Sequence, residues 1–307
     1  MKGGGNMRVR RILGLLLCLL GLALPALGEE TPAAESFPPR EYDFTHRAYR
    51  NYDSETLKYR IETFTVKGCR CYLTKVWMQD PARQIRKATS EWKKNIKLPK
   101  EMAAAVPGAA LAINGSGYWS PVYPDVPENY PGAVEDYFYT PWGSLTVTDG
   151  EVFRNLEELP YCGLTLEADG LHMYTGESTE KVLSANPSQT WCFRDGCPML
   201  RGTEVLTPEE WPFAEAKARR TVIARADRNN YLILSVSNEG RAGLTLHEVN
   251  EFFLNHLETE WVYDLDGGPS SALLARRKGA RKMSRIMGGG AKDIDIMAFT
   301  ELPETEN

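Results

Sequence analysis

The sequence predicts an α+β fold, a single large domain with a multi-stranded mixed or antiparallel core sheet and a few packed helices. Three observations lead there. From residue 57 onward, apolar-polar alternation recurs in short runs separated by turns bearing Gly, Asp or Asn, the pattern of paired strands. One segment, "GLTLHEVNEFFLNHLE", instead repeats its apolar residues at helical spacing. The chain has 307 residues, 42% apolar and 25% charged, enough to bury one sizeable core without staples.

The first 28 residues stand apart. "MKGGGNMRVRR" is basic and "ILGLLLCLLGLALPALG" is apolar, broken by Pro25 and closed by small residues. This is the pattern of a secretory signal with cleavage after Gly28, and an uncleaved anchor is the alternative. Removal takes four of the 36 basic residues and none of the 41 acidic ones, moving the net charge from −5 to −9. So acidic a chain is poorly suited to nucleic-acid backbones, and no other stretch is long and apolar enough to span a bilayer. The expected location is secreted, periplasmic or cell envelope, with no nucleic-acid partner and no membrane contact after cleavage.

Residues 29–56 lack periodicity and are expected to be a linker or loosely ordered arm, with the domain over 57–302 and a tail at 303–307. "YRIETFTV" and "CYLTKVWM" predict a hairpin. "DPARQIRKATSEW" predicts a helix with Asp80 as cap and Pro81 at its first position. "KEMAAAV" predicts a short helix and "AALAIN" a buried strand. Hairpins are expected around Asp149-Gly150, Asp169-Gly170 and Asn229-Asn230, and two short strands within 189–205. Thr245 and Glu248 form a predicted capping box, and "WVYDLD" and "DIDIMAF" are the last strands.

Of the five cysteines beyond Cys18, Cys192 and Cys197 flank a turn-like "FRDG" and are the expected local disulfide. Five reduced cysteines are the alternative. The odd count leaves at least one thiol. No Cys/His cluster has zinc spacing.

Four polar stretches sit at the ends of apolar strands. In "DLDGGPSS", Asp264 and Asp266 lie two apart and share a strand face. Gly267 and Gly268 expose backbone that can form an anion-binding nest, and Ser270 and Ser271 add hydroxyls. A purely structural turn has the same look. Asn114, in "AINGSG", can orient a ligand hydroxyl or hold its own turn. Arg220 and Thr221 suit a phosphate or carboxylate, though a surface charge run is the plain alternative. Glu239 and Arg241 flank a glycine before the capped helix and can equally be a surface ion pair. Asp264 and Asp266 also offer a weak calcium option; no other cofactor is expected.

In their order, these stretches resemble the phosphodiester glycosidase family, which includes N-acetylglucosamine-1-phosphodiester alpha-N-acetylglucosaminidases and bacterial exopolysaccharide-biosynthesis relatives. The matching pieces are "CYLTKVWMQDPARQIRKA", "LAINGSGYW", "GSLTVTDGEVFRN", "GCPMLRG", "RRTVIA", "EGRAGLTLHEVNEFF", "YDLDGGPSSALL" and "DIDIMAF". Departures are Pro269 for a third glycine, Arg219 before Arg220-Thr221 for a proline, Glu239 for an aspartate, and Ser116 after the Asn-Gly pair. The resemblance implies an exported hydrolase of a sugar-1-phosphodiester on a glycan or glycoconjugate. It implies Asp266 as acid/base or nucleophile with Glu239 as partner. Arg220, Thr221, Gly267, Gly268, Ser270 and Ser271 would hold the phosphodiester, and Asn114 and Arg241 the sugar. The alternative is an inactive carbohydrate-binding or envelope-associated protein of the same fold.

Overall fold

In a computed structural model, the chain is described over residues 47–122, 131–193, 199–200 (backbone only), 214–239 and 242–303. All belong to one compact unit, Phe37–Asn307. Three antiparallel strands open it: β1 (Arg47–Asp53), β2 (Leu57–Val66) and β3 (Cys69–Met78). Then come α1 (Pro81–Gln84), β4 (Ile85–Thr89), α2 (Pro99–Ala104) and β5 (Ala109–Asn114). The middle contributes β6 (Leu145–Thr148), β7 (Glu151–Asn155), β8 (Tyr161–Glu167), β9 (Gly170–Glu177), α3 (Thr179–Ser184), β10 (Gln189–Trp191) and β11 (Met199–Leu200). The last part holds β12 (Arg220–Arg225), β13 (Asn230–Val236), α4 (Leu246–His256), β14 (Trp261–Asp264), β15 (Ala272–Arg276), β16 (Met283–Gly288) and β17 (Asp295–Thr300).

The strands form three sheets: a seven-stranded one in the order β1-β2-β3-β13-β12-β14-β11, and two five-stranded ones, β7-β6-β10-β8-β9 and β16-β15-β5-β17-β4. This is the α+β architecture expected. Local chemistry explains the hairpins. Lys67 and Gly68 both have positive φ (46° and 85°), as do Asp149 and Gly150 (52° and 79°). Two central residues of that kind make the turn whose twist matches a hairpin. In α4, Glu248 N–H donates to Thr245 Oγ1 at 3.1 Å and Thr245 N–H to Glu248 Oε2 at 3.0 Å. Its face of Leu246, Val249, Phe252 and Phe253 is buried, and Phe252 stacks on Phe64 of β2 at 5.3 Å. The main core gathers side chains from all three sheets and α4.

Three expectations are corrected. Ordered structure begins before Leu57: β1 pairs with β2 from Arg47↔Thr63 to Asp53↔Lys58, so part of the expected arm is an edge strand. The helix expected over residues 80–92 is one turn long. Beyond Gln84 the chain becomes β4 and pairs with β17, and it does so with Lys87 buried between Ile85 and the half-buried Thr89. Ile85 and Ala88, three apart, share a helix face, whereas the strand places Ile85 and Lys87 on one face, both buried, with Lys87 beside Asp295. Cys192 carries a thiol, as do Cys69 and Cys71, whereas Cys162 is disulfide-bonded. The expected Cys192–Cys197 pair is therefore not made. Cys192 Sγ is buried and lies 3.0 Å from the Cys162 carbonyl oxygen. The signal segment, residues 29–46, Cys197 and Arg241 lie outside the described residues. No described helix is long and apolar enough to cross a membrane.

Candidate active site

The chain crosses between two sheets at Asp266–Ser271. β14 ends at Asp264, and Leu265 N–H still donates to Thr221 O of β12 at 2.9 Å. Asp266 N–H then turns away to Gly115 O, just past β5, at 3.1 Å. After a single 3-10 turn, Gly268–Ser270, the chain enters β15. Asn114 clamps both ends of this bridge: its Nδ2 donates to Asp266 O at 2.6 Å and its Oδ1 accepts from Ala272 N–H at 2.9 Å. It therefore braces the loop that carries Asp266 rather than its own turn.

β17 brings a second pair of acids to the same place. Asp293 and Asp295 are fully buried, spaced like Asp264 and Asp266. Asp295 Oδ1 accepts from Ser116 N–H at 2.7 Å, and Gly115 N–H donates to Asp295 O at 3.2 Å. The Asn-Gly-Ser turn thus links the two acidic segments. Gly115 is required there, since a Cβ would lie 2.0 Å from Asp295 Oδ1 and 2.9 Å from Trp191 Cδ1. Gly115→Ala is expected to cost about 1–3 kcal/mol, read as a lower denaturant midpoint, because Asp295 is pinned from both sides.

The other pin is Lys87. Its buried ammonium lies 3.2 Å from Asp295 Oδ2 and donates to Thr190 O at 2.7 Å. The rings of Trp92 and Trp191 flank it at 5.6 and 5.7 Å. Burial lowers the Lys87 pKa and the Asp295 charge opposes that shift.

The remaining carboxyls are pushed upward. Burial raises Asp266 to about 7; the Ser270 hydroxyl and Gly267 N–H partly offset it, and the Asp295 charge adds to it. Gly267 N–H donates to Asp266 Oδ1 at 2.8 Å. Burial also raises Asp264 to about 7, against the Arg220 guanidinium, whose Nη1 lies 3.7 Å from Asp264 Oδ2. Asp293 is raised well above the carboxylate range by burial and by the charges of Asp266 and Asp295. Its Oδ1 accepts from Ile294 N–H at 3.1 Å, while Oδ2 has no hydrogen-bond partner. Tyr118, half-buried, feels both Asp293 and Asp266. Burial first, then those charges, lift its phenol to about 12, so it stays a hydrogen-bond donor. The result is a cluster in which one carboxyl is raised to about 7, one is raised well above the carboxylate range and one is ion-paired. Environments that push like groups apart are how acid and base roles are divided.

Several expected ligands fall elsewhere. Arg220 and Thr221 are consecutive in a strand, so they face opposite ways. Arg220 shares the side of Asp264, while Thr221 shares the side of Ile223, which is opposite Tyr263. Thr221 cannot join Arg220 around one anion. Arg220 is itself enclosed, donating to Ala216 O at 2.6 Å and Leu244 O at 3.3 Å. The glycine loop does not form an open nest. Gly267 N–H is held by Asp266, Gly268 N–H donates to Arg219 O, Ser270 N–H to Gly267 O and Ser271 N–H to Gly268 O. Pro269, exposed in that turn, removes the one donor the loop does not use internally. Ser270 reaches Asp266, and Ser271 Oγ is buried without a partner. Glu239 is exposed and ion-paired with Arg70; the carboxyls whose charges bear on Asp266 and Asp264 are Asp295 and Asp266, not Glu239.

For a cation, the described residues bring Glu167, Asp169 and His172 within 4.8 Å of one another on the β8–β9 hairpin; Asp264 and Asp266 belong to no such triple. The residues that sequence reasoning passed over are Asp293, Asp295, Lys87 and Tyr118. The signal for the first two was a second Asp-x-Asp at a strand end.

This fold and this acidic crossing loop belong to a known class. The profile of the phosphodiester glycosidase family matches residues 107–292, and the chain belongs to that family. The segment matched includes Asn114, Asp264, Asp266 and the Gly267–Ser271 loop. Among solved structures, the chain is similar to the zebrafish N-acetylglucosamine-1-phosphodiester alpha-N-acetylglucosaminidase catalytic domain, auto-inhibited by its pro-peptide. There the TM-score is 0.59 at 16% identity, covering 84% of this chain and 88% of that one. It is also similar to a hypothetical protein from Synechocystis, with a TM-score of 0.52 at 13% identity over 81% of this chain and 63% of that one. At those identities the likeness is one of fold. The curated proteins give no significant sequence match.

Proposed function

We propose that the protein is an exported phosphodiester glycosidase that hydrolyses the bond between a sugar's anomeric carbon and a phosphodiester oxygen. The observation that carries this is the cluster of Asp266, Asp293 and Asp295 around the Asn114-braced loop. The family supplies the substrate class, and the similarity to the zebrafish enzyme agrees with it.

In this scheme Asp266 acts as the carboxylate at the anomeric centre, as nucleophile or as base toward water. The C1–O bond breaks, its electron pair stays on the departing phosphate oxygen, and a water oxygen ends on C1. Asp293, raised well above the carboxylate range by burial and by the charges of Asp266 and Asp295, replaces Glu239 as the partner and donates toward the departing oxygen, with the Tyr118 hydroxyl beside it. Phosphate is a good leaving group, so this donation assists rather than drives the step. Site action outside the cytoplasm rests on the basic-apolar leader and agrees with the disulfide at Cys162.

The test is turnover of an aryl sugar-1-phosphate diester, scoring free sugar and intact aryl phosphate. Activity should rise with pH through about 7 as Asp266 ionises, the limb being a property of the coupled cluster. Asp293→Asn is expected to lower kcat by about 10²–10³-fold. No turnover of any sugar-1-phosphate diester, or a rate flat through pH 5–9, would overturn the assignment.

A further inference from the structure

The chain as a whole is acidic, yet residues 276–292 hold seven lysines and arginines and no acid. They form the β15–β16 hairpin and the glycine run after it. Arg277, Lys278, Arg281, Lys282, Arg285 and Lys292 are exposed, and none of them has an ion-pair partner among the described residues. β16 is an edge strand, and charged side chains on an edge discourage pairing with another chain. That purpose is served by either sign and does not call for a groove.

There is a groove. A cavity of about 960 Å³ lies between α2 and this hairpin, with Leu274, Val106 and Met283 among its apolar lining and Lys100, Arg281, Lys282 and Arg285 among its basic lining. The acid on its wall, Glu101, already accepts from Leu98 N–H at 2.9 Å. Arg285 and Gly290 also line a second, smaller groove of about 310 Å³ that continues to Gly288, Arg219, Ser237 and Glu239, whose carboxylate is ion-paired with Arg70. Backbone hydrogen bonds tie the walls of these grooves to the loop that carries Asp266. Gly289 N–H donates to Ser271 O at 3.0 Å and Gly268 N–H to Arg219 O at 2.9 Å. Gly288 permits the contact: its φ is +56° and a Cβ would stand 1.7 Å from Ser271 O.

We propose that these two grooves are a continuous track for a polyanionic substrate, a glycan whose sugars are joined by phosphodiesters. The track leads from the Arg281–Lys282–Arg285 cations to the Asp266 site. The proposal rests on the phosphodiesterase reading of that site and specifies its substrate as a repeating chain rather than a single diester. An apolar floor between cations fits sugar faces alternating with phosphates. An acidic protein concentrates such a chain only where its cations are clustered, and that cluster lies beside the catalytic loop.

The experiment measures binding and turnover separately. Fluorescently labelled chains of sugar-1-phosphate units, dimer to octamer, are titrated onto the full-length Asp266→Asn protein by anisotropy at several salt concentrations. Affinity should rise with chain length. The triple variant R281Q/K282Q/R285Q, made on the same background, should weaken octamer binding by about tenfold or more. It should also flatten the slope of log affinity against log salt by about 2, as expected for three lost phosphate contacts. In the otherwise wild-type protein, the same triple change should leave kcat/KM for a single aryl diester within about twofold, since these are surface positions. Affinity independent of length, or a triple variant that binds the octamer as well as its parent, overturns the proposal. So does tighter binding to phosphatidylglycerol vesicles than to the octamer, lost in the triple variant, which would make the surface a membrane contact. Length-dependent binding with no turnover of any diester by the wild type would instead defeat the hydrolase assignment, and with it the word substrate.

Discussion

Asp266→Asn should abolish turnover and stabilise the protein at the same time. Removing the carboxylate proposed to act at the anomeric centre is expected to cost about 10⁴-fold in kcat/KM, the range for a group that carries the chemical step. The stability effect has the opposite sign. The Asp266 pKa is raised to about 7 from an ordinary 3.8, so the folded protein binds this proton more tightly than the unfolded chain does. Its favourable contribution is complete below pH 4 and is lost as pH rises through 7, leaving an ionised carboxylate that opposes folding at pH 8. A shift of about three units corresponds to roughly 4 kcal/mol as an upper bound, and it is shared with Asp293 and Asp295. Asparagine keeps the acceptor for Gly267 N–H and carries no charge. The thermal midpoint of Asp266→Asn should therefore exceed wild type by several degrees at pH 8, by less at pH 5, and match it only below about pH 4. A residue that served only the fold would show neither the activity loss nor this pH-dependent gain. An active variant, or one less stable at pH 8, would remove Asp266 from the mechanism.

The site's legibility from sequence followed the range of the interactions. The capping box at Thr245 and the hairpin turns, Asp149-Gly150 among them, depend on neighbours a few residues apart. They were correctly read. Asp293 and Asp295 have the same spacing as Asp264 and Asp266, but what makes them a site is that β5 lies beside β17 and that Gly115 bonds across to Asp266. Nothing local records that. Lys87 was misplaced with its element, because burial opposite Asp295 stabilises a strand where the spacing of Ile85 and Ala88 suits a helix. Glu239 and Thr221 were chosen for their places in the "EGRAG" and "RRTVIA" stretches that carry the family resemblance. Strand parity and a surface partner, Arg70, separate them from the cluster. Pro269 looked like a lost anion donor. In a loop whose other N–H groups are already bonded internally, proline instead stiffens a turn that carries Asp266 at one end and Ser271 at the other, lowering the entropy of holding it.

Arg220→Ala should be the most destabilising single change at the site. Its guanidinium is 3% exposed and lies beside an aspartate that is 0% exposed. Neither oxygen of Asp264 has a hydrogen-bond partner, so the cation 3.7 Å away is its main compensation. Truncation leaves a buried acid facing Asp266 and frees the Leu244 and Ala216 carbonyls. Breaking a buried pair on one side typically costs about 3–5 kcal/mol, a large share of a domain's stability. The loss should also depend on pH. With Arg220 gone, nothing opposes the burial that already raises Asp264 to about 7, so its proton is held to still higher pH. The variant should be closest to wild type in acid, where Asp264 is neutral in both, and fall furthest behind at pH 8. Adding Asp264→Asn should recover much of the deficit, because the uncompensated charge is what destabilises the single variant. Denaturant unfolding of the two single variants and the double variant at pH 5 and pH 8 measures this coupling directly. If Arg220 instead serves chiefly as an anion ligand at the surface of the site, the single variant keeps wild-type stability at both pH values and loses only affinity for the diester.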